Sequence, residues 1–201
     1  METFVIAAAA GLIVYLLKSK EQRNRIALLA GHLGRFNIEK LMESLTQGYM
    51  RCLDEKDAER RSQIWSLLHG SEQSLAEQFG RFAAGFAKVD DVQARVSKIP
   101  VAIPFADRWL PGFTFDVRSA FAIHAKGIAD AVANVRQQTP TQKAYMLSAE
   151  IFLMQHTCHW YCRSKTVASA RLLARHQTSH QLALDSVSPA TRAAYLALTG
   201  G

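Results

Sequence analysis

The apolar residues of this chain mostly recur with the period of an α-helix, apart from one uninterrupted apolar run near the N-terminus. That run, Phe4 to Leu17, contains no charge and is followed by the basic segment KSKEQRNR. A helix of this length spans about 21 Å, which is short of the ~30 Å hydrocarbon core of a bilayer. Thr3 can extend the helix at one end, and Lys18 and Lys20 can reach the lipid headgroups at the other. The pattern therefore predicts a transmembrane anchor.

Two other interpretations of the run are a signal peptide and a buried core helix. A signal peptide has a positive segment before its apolar core and small residues after it, whereas here Glu2 precedes the run and Leu17 and Lys18 follow it. A buried helix is the stronger alternative, because apolar runs of this length are common in protein cores. The anchor is preferred because all the positive charge lies on one side of the run.

The same asymmetry of charge predicts an orientation. Four basic residues follow the run closely, with Glu21 as the single acid among them: Lys18, Lys20, Arg23 and Arg25. Positively charged flanks of membrane helices stay on the cytoplasmic side. We therefore expect a single-pass protein of the inner (plasma) membrane, with the N-terminus outside and the C-terminal domain in the cytoplasm.

The sequence predicts three consecutive parts. Residues 1–20 form the N-terminal membrane-anchor helix, and residues 21–36 form a basic juxtamembrane hinge, because Gly31 and Gly34 interrupt the apolar pattern there. Residues 37–201 form a cytoplasmic all-α domain. With 201 residues, of which 49% are hydrophobic, the chain is long enough for one such domain and an anchor.

Helical spacing of apolar residues predicts an all-α fold, a bundle of about five to seven helices with no convincing strand. The first face contains Ile38, Leu41, Met42, Leu45, Tyr49, Cys52 and Leu53. An aromatic-rich face contains Leu75, Phe79, Phe82, Phe86 and Val89. A third contains Val117, Phe121, His124, Ile128, Ala131 and Val135. His124 is therefore predicted to point inward as a hydrogen-bonded core residue rather than to act as a ligand or base.

Local signals place the helix starts and one long loop. Asp116 is predicted to cap a helix, and Thr139 and Gln142 form a capping box around Pro140. No proline or glycine follows until Pro189, which predicts one long helix or two abutting helices from residue 140 towards residue 184. Residues 97–112 hold three prolines among apolar residues, which predicts a connection that packs across the helices and holds Asp107, Arg108 and Trp109 on a fixed loop.

The net charge of +7 suggests an anionic partner, although a solvated helix face is the commoner explanation. Residues 151–201 contain five bases and one acid. In a protein tethered to a membrane, such a surface would meet anionic lipid headgroups as readily as a nucleic-acid backbone. The candidate contacts with an anionic surface are Lys18, Lys20, Arg23, Arg25, Arg163, Lys165, Arg171 and Arg175.

Histidine and cysteine concentrate in one region, which holds six candidate metal ligands: His156, Cys158, His159, Cys162, His176 and His180. Four of them follow a spacing close to that of a zinc finger, but the cysteines continue a helical pattern and Val167 stands where phenylalanine is usual. On a helix, pairs three or four residues apart could direct two ligands to zinc, another transition metal or haem, with Glu150 as the nearby carboxylate. The commoner expectation is that the cysteines pack as free thiols and the histidines lie at polar edges.

The sequence contains no Gly-rich phosphate loop, no G-x-S-x-G and no H-E-x-x-H motif. Our first hypothesis is accordingly a membrane-anchored helical adaptor or assembly subunit without catalytic activity, which binds protein partners or a second copy of itself. The alternatives are a metal- or haem-binding helical enzyme or sensor centred on His156 to Cys162, and a soluble nucleic-acid-binding protein. The second alternative would use Arg163, Lys165, Arg171, Arg175 and Arg192.

Overall fold

The computed structural model describes residues 1–105 and 109–200 and confirms an all-α fold: one long apolar helix followed by a helical bundle. The α-helices of the described residues include α1 Glu2–Leu33, α2 Ile38–Asp54, α3 Ala58–Phe86, α4 Asp91–Ala94, α5 Val117–Val132, α6 Pro140–Cys162, α7 Lys165–His176, α8 His180–Ser186 and α9 Pro189–Thr199. A short 3-10 helix, Pro111–Phe113, precedes the second strand. A two-stranded antiparallel ribbon, β1 Arg95–Ser97 and β2 Thr114–Asp116, pairs Val96 with Phe115. The sequence pattern missed the ribbon because three residues are too few to show alternation.

The core lies between α3, α5 and α6, and α2 packs on the outside of α3. The aromatic face predicted on α3 is buried, as expected. Phe121 of α5 packs edge-on against Phe82 and Phe86, with both pairs of ring centroids 5.1 Å apart. Such edge-to-face pairs add to the free energy gained by burial. On α5, His124 is fully buried as predicted, whereas Val135 lies beyond the end of the helix and is exposed.

Helix α1 is a single unbroken helix in which only the second half contacts the bundle. Leu29 is buried, and the Arg25 guanidinium donates to the carbonyl oxygens of Tyr161 and Arg95 at 3.3 and 3.0 Å. The helix runs through Gly31 and ends at Leu33, so the segment predicted as a hinge is helical and the chain turns only at residues 34–37. A Cβ at Gly31 would meet no atom within 4 Å. This glycine therefore lowers helix propensity by about 1 kcal/mol without any packing role, and the docking of α1 offsets that cost.

Residues 140–186 form three helices where the sequence predicted one or two. Two serines begin the extra helices: Ser164 accepts a hydrogen bond from the Val167 amide, and Ser179 accepts one from the Leu182 amide. Gln177 ends α7 in the left-handed conformation, with a φ of 52°. The sequence-based prediction used proline and glycine as the signals of helix ends. These helices instead begin at serine caps, and α7 ends at a left-handed residue that is not glycine.

The proline-containing loop between the strands lies between α1 and α7. The Phe105 amide donates to Glu21 Oε2 at 3.1 Å, and Thr166 donates through both its amide and its hydroxyl to the Pro100 carbonyl oxygen. The backbone thus packs across helices as expected, but several of the apolar side chains point outward: Val101, Ile103, Trp109, Leu110 and Phe113. Asp107 and Arg108 lie outside the described residues.

Candidate functional site

The interior of the bundle contains a buried polar chain that joins α5, α6 and α9. His124 Nε2 lies 2.8 Å from Thr157 Oγ1, which in turn lies 3.1 Å from the Tyr195 hydroxyl. Burial lowers the pKa of His124 to about 3, so the ring is neutral at physiological pH. Core residues enclose these side chains, so their hydrogen bonds link the three helices to one another.

A second polar pair begins at the residue next to Thr157, where the buried His156 of α6 stacks on the half-buried His180 of α8. The ring centroids are 4.1 Å apart, and His156 Nε2 lies 3.1 Å from Ser169 Oγ. Burial lowers the pKa of His156 to about 2 and that of His180 to about 4, and the positive charge of Lys165 acts in the same direction. Two neutral imidazoles can stack in this way without charge repulsion.

Glu150 is the third polar feature of the interior. Its Oε1 accepts a hydrogen bond from the Ser188 amide at 3.1 Å, and its carboxyl group lies against Gly127 and Thr191. Burial raises its pKa to about 7, because the hydrogen bonds from Ser188 and Thr191 only partly offset the cost of desolvating a carboxylate. Glu150 therefore exchanges its proton near neutral pH while it remains inside the bundle.

The six metal ligands predicted from the sequence lie in three separate places. The His156 and His180 pair is inside the bundle, and His176 lies at its edge, stacked on Phe152 and bonded through Nε2 to Gln155 at 2.7 Å. The other three line a groove on the opposite side of α6: Cys158, His159 and Cys162. Across residues 1–105 and 109–200, no three His, Cys, Asp or Glu side chains are placed to hold one metal ion.

The surroundings of both thiols in the groove disfavour the reactive thiolate form. Burial raises the pKa of Cys158, and it raises that of Cys162 to about 11 against the opposing effect of Arg25. Thiolates are the metal-binding and nucleophilic form of cysteine, so protonated thiols suit a packing role.

The groove itself has a volume of about 720 Å³. It lies between the end of α1, the start of α2 and the end of α6. Its floor is apolar and includes Ile26, Leu33 and Phe36, and its rim carries charges of both signs, Glu39, Lys40, Glu43, Arg163 and Arg171.

Three of the predicted anionic-surface residues line a neighbouring cavity between α1 and α7, which shares Arg163 and Arg171 with the groove. Lys18, Arg163 and Arg171 line a volume of about 490 Å³ together with four other residues: Tyr15, Ser19, Gln22 and Val167. We call these seven residues the basic cavity. The ion pairs found among the described residues include none of its three cations.

The remaining predicted cations lie elsewhere. Arg25 is engaged by Glu21 at 2.7 Å and by the backbone of the bundle, so it serves the docking of α1. Lys165 lies 5.1 Å from the centre of the Trp160 ring. Three are exposed outside the cavity, Lys20 and Arg23 on α1 and Arg175 on α7.

The sequence reading missed the uncharged members of the basic cavity. Tyr15, Lys18, Ser19 and Gln22 follow the i, i+3, i+4, i+7 spacing of one helix face, and this signal was visible across the predicted boundary of the anchor. It also missed Tyr195 and Ser169, whose contacts with α6 depend on the fold.

No protein-family model, curated protein or solved structure matches this chain, so its function has to be inferred from its own residues and their geometry.

Proposed function

We propose that this chain is a single-pass protein of the inner membrane, with its N-terminus outside and its helical domain in the cytoplasm, where it serves as an adaptor or assembly subunit. One observation carries the proposal: α1 is continuous from a fully exposed apolar half into a half that is docked on the bundle. The helix over residues 3–33 is long and apolar enough to cross a membrane, and none of its most apolar window of 18 residues is buried. A bilayer would cover this surface, which is costly in water.

The length of α1 fits this role better than the apolar run alone suggested. The helical rise from residue 3 to residue 20 is about 26 Å, close to the ~30 Å hydrocarbon thickness. Lys18 and Lys20 then lie at the headgroup level, and the hydrogen bond from the Phe105 amide to Glu21 follows within one turn. The domain would thus sit directly against the membrane surface.

The interior supports a binding role over a catalytic one. The buried histidines bond to or stack on side chains of neighbouring helices and Glu150 bonds to the Ser188 amide, while the described openings on the surface are lined by other side chains. The groove between α1, α2 and α6 combines an apolar floor with charges of both signs, which suits a segment of a protein partner.

The orientation is tested by trypsin digestion of full-length protein with a C-terminal tag. In inverted inner-membrane vesicles, where the cytoplasmic face is outside, we expect cleavage at exposed sites such as Arg60 and loss of the tagged domain. In intact spheroplasts the tag should survive. Protection in inverted vesicles and cleavage in spheroplasts would reverse the orientation.

The adaptor role is tested with a photo-crosslinking amino acid placed at Lys40 in the groove of the full-length protein in native membranes. The matched control is Arg136, which is exposed in the turn after α5. We expect a discrete heavier species from position 40 and none from position 136; twice the mass of the chain would identify a second copy as the partner. No crosslinked species from position 40 at native expression would contradict the adaptor role.

A further inference from the structure

The basic cavity lies where the exposed half of α1 meets the bundle. We propose that it binds the phosphate headgroup of an anionic phospholipid from the leaflet that faces the domain. This inference rests on the proposed function, because it places residues 4–17 in a bilayer. It adds a ligand class and a site that the adaptor role does not require.

The charge of the cavity selects an anion. Its lining contains three cations and no acidic residue. The hydrogen bonds that the two arginines form go to neutral groups: Arg163 Nη1 donates to Gln22 Oε1 at 2.8 Å, and Arg171 Nη1 lies 3.2 Å from His159 Nδ1. Burial lowers the pKa of His159, as do Arg171 and Arg175, so this histidine accepts as a neutral ring. Each guanidinium keeps further N–H donors, whose planar geometry fits the oxygens of a phosphate group.

The position of the cavity along α1 selects a lipid over a free phosphate ion. Tyr15, at one end of the cavity, belongs to the exposed apolar half of the helix, and Lys18 lies one turn further on. Tyrosine and lysine at this spacing are typical of the boundary between hydrocarbon and headgroups. A ligand held by Lys18 would therefore have its polar end in the cavity and room for acyl chains along residues 4–17.

The proline-containing loop supplies a second, apolar contact at the same level. Val101 and Ile103 of the loop line a narrow cleft with Lys18, Gln22 and Arg163, and these last three residues also line the basic cavity. Val101 is 58% exposed and Trp109 is 77% exposed, and the Trp109 amide donates to the carbonyl oxygen of Phe105, which is itself bonded to α1. Exposed aliphatic and aromatic side chains beside cations suit a membrane interface, whereas a nucleic-acid backbone would leave them in water.

The test is native mass spectrometry of the full-length chain in a neutral detergent, titrated with phosphatidylglycerol, phosphatidylcholine or inorganic phosphate. We expect about a hundredfold preference for phosphatidylglycerol over phosphatidylcholine, since each basic residue near the surface contributes about fivefold. The variant K18Q/R163Q/R171Q should lose this hundredfold preference and keep at most the smaller contribution of Lys20 and Arg23. The control K56Q/R60Q/R136Q removes the same charge at exposed positions outside the cavity and should keep the preference. The double variant K18Q/R171Q leaves the Arg163 bond to Gln22 intact and should lose most of the preference without any effect on folding.

Several results would overturn the site. The triple variant would overturn it by keeping the preference for phosphatidylglycerol. Displacement of phosphatidylglycerol by equimolar inorganic phosphate would also overturn it, because it would indicate a site for a free anion. Displacement by a short RNA at low concentration would favour a nucleic-acid partner. The triple variant keeps residues 4–17, Lys20 and Arg23, so it should still resist extraction from membranes by alkaline carbonate. If the wild-type chain is itself extracted, the proposed function fails; if it resists but shows no lipid preference, only the lipid site fails.

Discussion

At the scale of single residues, the buried polar side chains of α6 and its neighbours determine how the stability of the bundle depends on pH. Glu150 has a pKa of about 7 in the folded chain against an ordinary value of 4.5. Between these two values the folded chain binds a proton that the unfolded chain releases. The contribution of Glu150 to the free energy of unfolding is therefore complete below pH 4.5 and is lost as the pH rises through 7, by up to about 3 kcal/mol.

The variant Glu150→Gln removes this titration and keeps a group of similar shape. Its free energy of unfolding should change less between pH 5.5 and pH 8.5 than that of the wild-type chain, by about 2 kcal/mol. Urea titrations of the full-length chain in neutral detergent at the two pH values measure the difference. An equal pH dependence in both chains would show that Glu150 is not desolvated as the structure indicates.

Gly127 tests the packing around the same carboxyl group. A Cβ at this position would approach Thr191 Oγ1 and a carboxylate oxygen of Glu150 more closely than van der Waals contact allows. We expect Gly127→Ala to destabilise the chain by about 1 to 3 kcal/mol, because both neighbours are buried and cannot move away easily. Gly80→Ala is the matched control in another helix, since a Cβ there meets no atom within 4 Å. Gly80→Ala should stabilise the chain by about 0.5 to 1 kcal/mol. If Gly127→Ala were instead the more stable of the two variants, the helix interface near Glu150 would be looser than described.

At the scale of elements, the docking of α1 depends on Arg25. This side chain is half-buried and bonds to two backbone carbonyl oxygens and to Glu21. Arg25→Gln should lower the free energy of unfolding by about 2 to 3 kcal/mol, because it leaves buried acceptors without a charged donor. Arg23→Gln, two residues earlier on the exposed face, should change it by less than about 0.5 kcal/mol. Chemical denaturation of the full-length chain compares them, and equal effects would mean that α1 is not docked through this residue.

The exposed loop predicts a spectroscopic signal at the membrane. Trp109 should lie among lipid headgroups, so brominated phospholipids should quench part of the tryptophan fluorescence of the reconstituted full-length chain. Trp109→Phe should lose most of this quenching. Trp65→Phe is the control, because Trp65 lies beside Tyr49 in the packing of α2 against α3. If quenching is unchanged in the Trp109 variant, the loop does not reach the bilayer.

Local chemistry explains which elements could be predicted from the sequence. The capping box of Thr139 and Gln142 and the cap at Asp116 form as expected, because each depends only on residues within one helical turn. The breaks at Ser164 and Ser179 gave no equally distinct signal. Serine is common inside helices as well as at their starts, and the choice depends on which neighbouring helix the next residues pack against.

The candidate sites were harder to predict than the helices. Cys158 and His156 are two residues apart on α6 and therefore point to different sides of the helix, so proximity in the sequence did not bring the predicted ligands together. The basic cavity joins residues about 145 positions apart, which only the docking of α1 against α7 can bring together. Charge composition indicated an anionic partner, but the fold decides which three of the eight predicted cations line one cavity.

At the scale of the whole molecule, the chain consists of a bundle and one continuous helix whose N-terminal half extends from it. Three features lie at the end of the bundle where α1 leaves it: the exposed apolar half of α1, the basic cavity and the proline-containing loop. The groove between α1, α2 and α6 begins about one turn further along α1, at Ile26. The exposed apolar half of α1 and the groove thus lie along one continuous helix; under the proposed function, the first would face the membrane and the second a protein partner.

The most direct test of membrane anchoring is extraction of full-length protein from membranes, compared with a chain that lacks residues 4–17. The deletion stops before Lys18 because residues 21–33 belong to the folded bundle. We predict that the full-length chain stays in the pellet through high salt and alkaline carbonate, and that the shortened chain is soluble with an unchanged circular dichroism spectrum per helical residue. Release of the full-length chain by carbonate, or unfolding of the shortened chain, would show that residues 4–17 belong to a protein core and would contradict the account.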